Sequence, residues 1–137
     1  MVMNIKLSHC FLAVDDHDKA LTFYRDVLGF EVRDDVGSDK MRWITVGPPS
    51  QPEFDIVLEP PGVEASPADQ ETIGDLMAKG VFGRLVLTTD DVDATFEHIQ
   101  AAGAEVIQEP INQPWGPKDC AFRDPAGNVL RFQTATT

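Results

Sequence analysis

Two periods of apolar spacing alternate along this chain, and the order in which they follow one another occurs twice. Ile5 to Val14 (IKLSHCFLAV) reads as a strand, and DDHDKALTFYRDVLG then places Ala20, Leu21, Phe23, Tyr24, Val27 and Leu28 at helical spacing. Asp15 or Asp16 supplies an N-cap for that helix and Gly29 a stop. Three shorter strands are predicted next, FEVRDDV, MRWITVG and FDIVLEP, separated by Gly, Asp, Ser and Pro. The first module, residues 1–60, is therefore β-α-β-β-β.

Residues 61–80 break the strand pattern. Pro60 and Pro61 end the preceding strand, Ser66 and Pro67 suit a cap and first helical position, and Gly80 terminates a short helix within this linker. From residue 81 the opening plan returns: FGRLVLTT is a strand, Asp90 and Asp91 a cap, DATFEHIQAAG a helix and AEV the next strand. AVDDHD lies over TTDDVD, Gly29 over Gly103 and FEV over AEV, with one residue fewer in the second helix. Carried upstream, this register sets His9 over Arg84; carried downstream, it sets Val57 over Arg131 and Glu59 over Gln133. The chain is an internal duplication. Two such units pair their sheets around one core, since half of the chain alone would leave an apolar face open.

A length of 137 residues suits one domain. Apolar runs are far too short for a membrane span, and MVMNIKLSH is no secretory signal, so a cytoplasmic protein without membrane contact is expected. With 11 basic against 23 acidic side chains, the formal charge of -12 repels phosphate backbones and excludes nucleic acid as a natural partner. Cys10 and Cys120 are far apart with no CxxC, and read as small buried hydrophobes.

The paired β-α-β-β-β modules, the stretch ALTFYRDVLGFEV, and DPAGNVLRF with PWGPKDCAFR upstream resemble the vicinal oxygen chelate superfamily, which includes glyoxalase I, extradiol dioxygenases and the bleomycin-binding proteins. The resemblance covers nearly the whole chain. It implies an α+β fold in which two modules curl a mixed sheet around a U-shaped cavity, helices outside, in a homodimer. Metal enzymes of this superfamily take ligands from the first and last strands of each module. Here His9 matches the first such position, Val57 the second, Arg84 the third and Arg131 the fourth. Valine has no lone pair to give, and arginine is a donor only. No metal and no other cofactor is therefore expected.

The same cavity suits a small-molecule ligand. Arg84 and Arg131 occupy two of these ligand positions, and guanidinium forks match carboxylates. Their counter-charge is either a ligand anion or an internal partner, with Glu59 and Asp55 as the candidates. Asp55, Val57 and Glu59 share a strand face, expected to point inward with His9 and Phe11. His9 is a hydrogen-bonding group or base. Trp115, beside Gly116 and Pro117, belongs to a loop at the cavity mouth, and Trp43 is expected in the core. The ligand-binding set is thus Arg84, Arg131, His9, Glu59, Phe11, Trp115 and Gln133. DPAGN is a structural turn. The expected function is sequestration of a small molecule without metal. The alternative is a glyoxalase-type enzyme with His9 and Glu59 as unorthodox ligands, or as a metal-free acid-base pair.

Overall fold

The computed structural model describes residues 2–38 and 42–135. Met41, at the start of the third predicted strand, lies outside them. Module one runs β1 (His9–Ala13), α1 (His17–Leu21) continuing as a π-helical stretch (Thr22–Val27), β2 (Glu31–Val36), β3 (Trp43–Gly47) and β4 (Asp55–Glu59). After α2 (Pro67–Ala78), module two repeats it as β5 (Arg84–Thr89), α3 (Val92–Ala101), β6 (Glu105–Asn112), β7 (Lys118–Arg123) and β8 (Val129–Thr134). Each module makes a four-stranded mixed sheet, in the orders β1-β4-β3-β2 and β5-β8-β7-β6. This is the α+β, two-module architecture that the repeat predicts. Residues 5–8, expected to belong to β1, carry no ladder.

The register inferred from the duplication is the register of the ladders. Phe11 pairs with Val57 in module one, and Val86 with Arg131 at the equivalent place in module two. Ala13 faces Glu59 just as Thr88 faces Gln133. The helix starts match as well: Asp16 and Asp91, both extended in backbone, accept from the amides of Lys19 and Ala94. Gly29 and Gly103 follow the two helices at φ 77° and 92°, a region that only glycine enters without strain.

The one residue by which the helices differ has a structural expression. The longer first helix absorbs it by widening to i→i+5 bonds, so the amide of Leu28 bonds to Phe23 O at 3.0 Å. Tyr24 lies inside this widened turn and is fully buried.

The helices cover one face of each sheet. Leu12, Val14, Ile44, Val46, Ile56 and Leu58 from sheet one join Leu21, Phe23 and Tyr24, while Phe122, Leu130 and Phe132 from sheet two join Phe96 and Ile99. Contact between the modules is made on this helical side. Tyr24 donates to Asp124 Oδ2 at 2.6 Å, and Asn128 Nδ2 donates to Ala13 O at 2.9 Å. Asp124 also accepts from the amides of Ala126 and Asn128, so the DPAGN turn is a latch between modules as well as a turn. On the opposite face Phe11, Trp43 and Val86 are exposed, while Val57, Thr45, Ala121 and Asp119 are buried.

Candidate functional site

Strand alternation determines what the open faces carry. In module one, Phe11, Val57 and Thr45 form a row, with His9 and Asp55 beside it. His9, Phe11 and Trp43 stand edge to face, with ring centroids 5.4 to 6.4 Å apart. Phe11 is 53% exposed and Trp43 39%. Trp43 therefore belongs to an open aromatic wall and not to the core. Its strand position points away from the helices, which strand parity set and apolarity alone concealed.

In module two, the equivalent row is Val86, Arg131, Ala121 and Gln108. Arg84 and Arg131 line one cavity of about 210 Å³ together with Gly80, Val81, Gly83, Leu85, Val86 and Val129. The two arginines thus line one space, on neighbouring strands of module two. His9, Phe11, Glu59, Trp115 and Gln133 do not line it. Trp115 is 73% exposed in the turn between β6 and β7, and Gln133 lies one pleat beyond Arg131 on the same face.

The internal counter-charge is a residue outside the expected pair. Arg131 Nη1 lies 3.2 Å from Asp119 Oδ2 and donates to Gln108 Oε1 at 3.0 Å. Asp119 is only 1% exposed, and its Oδ1 accepts from Gln108 Nε2 at 2.7 Å and Gln113 Nε2 at 2.8 Å. Burial pushes this carboxyl up, but the two amide donors and the Arg131 charge outweigh it and hold it below its usual range. Asp55 is engaged elsewhere, 2.7 Å from Arg33 Nη1. Among the described residues, Glu59 and Arg84 have no ion-pair partner. Burial, and then the charge of Glu64, raise the Glu59 carboxyl.

Asp119 was the missed residue. Its signal is a carboxylate directly before the apolar run CAF, on the same face as Arg131 once the antiparallel register of β7 and β8 is known.

The donor set does not suit a metal. Val57 and both arginines offer no lone pair to a cation. The parallel ladder sets His9 opposite Asp55 and Glu59 opposite Ala13. His9 and Glu59 are thus separated by four residues of strand, roughly 13 Å. The ladder therefore does not set Glu59 beside His9. Among the described residues no group of three His, Cys, Asp or Glu side chains is placed to hold a metal.

A larger cleft of about 940 Å³ opens on the helical side, lined among others by Asp16, Phe23, Met77, Glu105, Arg123 and Asp124. Its polar groups are mostly engaged: Asp16 caps α1, Arg123 pairs with Glu105 and Asp124 holds Tyr24. It is the seam between modules. No helix among the described residues is long and apolar enough to cross a membrane.

Known proteins share this fold. The structure is similar to that of UcmS2, with 39% identity, a TM-score of 0.85, and 97% of this chain and 100% of the other covered. It is also similar to TnmS3, described as an antibiotic binding protein from Streptomyces sp. CB03234, with 29% identity, a TM-score of 0.73 and coverage of 98% and 100%. A probable lactoylglutathione lyase of Vibrio cholerae is 26% identical over 94% of this chain and 90% of its own length. The family model described as Glyoxalase/Bleomycin resistance protein/Dioxygenase superfamily matches residues 6–132, and with two equivalent modules of this architecture, this chain belongs to that superfamily.

Proposed function

We propose that this chain is a metal-independent small-molecule-binding protein of the sequestration or resistance type, acting as a homodimer in the cytoplasm. The observation that carries the reading is the pairing of an exposed aromatic wall, His9, Phe11 and Trp43, with a guanidinium pocket at the equivalent positions of the other module. Aromatic side chains supply apolar contact to a planar ligand, and arginines supply its orientation. The likeness to TnmS3, an antibiotic binding protein, supports the same class.

Exposed apolar side chains support the homodimer. Phe11, Trp43, Val86 (50% exposed), Ile107, Ile111 and Trp115 are all exposed large apolar side chains, and β1 and β5 each have one unpaired edge. A second copy that sets module one against its partner's module two would close the aromatic wall over the arginine pocket. The lyase reading has the support of a named relative, but the four residues of strand between His9 and Glu59 speak against the pair on which it rests.

A thermal-shift screen of aromatic natural-product-like compounds, run with excess EDTA, tests this. At least one compound raises Tm, and the shift is lost in Phe11→Ala and Arg84→Ala. Stabilisation that appears only after zinc or nickel is added would return the site to the metal enzymes.

A further inference from the structure

We infer that the cavity takes a ligand with a single anionic group, held by Arg84, next to a neutral hydrogen-bond acceptor held by Arg131. The inference rests on the small-molecule reading above and narrows its ligand class. In a chain of formal charge -12, the residues lining this cavity include two arginines and no carboxylate. The two cations are not equivalent. Asp119 lies beside Arg131 at 3.2 Å, buried and ionised, so this pair brings no net charge to the cavity. Arg131 Nη1 is engaged by Asp119 and by Gln108 Oε1. Its Nη2 and Nε have no protein acceptor among the described residues and keep their N–H groups for a ligand.

Arg84 differs in having no ion-pair or hydrogen-bond partner among the described residues, with Val86 and Val129 beside it. Subtracting the Arg131–Asp119 pair leaves a net charge of one on the cavity. A monoanion neutralises it. A dianion would bring a second, uncompensated charge close to the Asp119 carboxylate, at a cost in a partly desolvated site. Arg84 pairs in register with Val129, two residues before Arg131 on the adjacent strand. That diagonal is roughly 8 Å between α-carbons, which one aromatic ring with two para substituents bridges. A cavity of about 210 Å³ holds such a head group and leaves the rest of a larger ligand to the aromatic wall.

Three probes of one shape separate the charge states: 4-acetylbenzoate, terephthalate and 1,4-diacetylbenzene. Titration calorimetry, with NMR of the arginine Nε–H groups, is expected to show 4-acetylbenzoate binding wild type tighter than both others, on the order of tenfold. Arg84→Gln, on an exposed strand position, should reduce it to the level of diacetylbenzene. Asp119→Asn, which uncovers the Arg131 charge, should raise terephthalate to equality or above. The wild-type order and Arg84→Gln decide the question even if Asp119→Asn does not fold. Terephthalate binding wild type as tightly as 4-acetylbenzoate overturns the single-anion inference and leaves small-molecule binding standing. So does failure of all three while compounds from the aromatic screen still stabilise the protein. If Arg84→Gln instead dissociates the dimer and no probe binds, Arg84 is a subunit contact and the inference falls.

Discussion

The phenol of Tyr24 donates to Asp124 Oδ2 at 2.6 Å, joining residues 100 positions apart and one module to the other. The bond exists because the first helix widens into a π-helical turn and carries Tyr24 to the DPAGN turn of module two. Tyr24→Phe removes the donor and leaves a buried carboxylate with one bond fewer. The expected cost is about 1 to 3 kcal/mol in urea denaturation. Burial, and then Asp124, raise the phenol well above 10.0, so its contribution is complete below pH 10 and is lost as pH rises further. Tyr24→Phe should lack that alkaline loss.

Asp119 gives the opposite pH dependence. Its native carboxyl titrates below the ordinary value of 3.8, so the unfolded chain binds a proton first as pH falls. Its stabilisation is present above that value and is lost below it. Denaturation curves between pH 7 and pH 3 should show wild type losing more stability than Asp119→Asn.

Glu59 carries a cost, because burial raises its carboxyl above 4.5 with no cation paired to it among the described residues. The charged native form is therefore disfavoured at neutral pH. Glu59→Gln should raise Tm at pH 7 by a small amount, and the gain should disappear below pH 4.5.

The metal positions predict a chemical absence that dialysis checks. Protein equilibrated with zinc or nickel should retain far less than one ion per chain, and His9→Ala should not change the amount, because His9 has neither Val57 nor a guanidinium as a co-ligand. Stoichiometric metal that His9→Ala removes would contradict this.

Much of the fold was legible because it depends on neighbours along the chain. The aspartate caps, the Ser66–Pro67 helix start and the glycine stops are local signals, and the ladders reproduce the repeat, with Phe11 and Val57 matching Val86 and Arg131. The site was only partly legible, because lateral neighbours decide it. Which carboxylate reaches Arg131 depends on how β7 aligns with β8, so Asp119 took the place expected for Glu59 or Asp55. Trp43 shows the same limit: its apolarity suggested the core, whereas its strand parity placed it beside Phe11 on the open face.

The most direct test of a metal-independent site built from both modules is NMR mapping of a compound that stabilises the protein in EDTA. Aromatic resonances of Phe11 and Trp43 and the Nε–H of Arg84 should shift together, saturating with one Kd. Shifts confined to one module, or dependent on added metal, would contradict it.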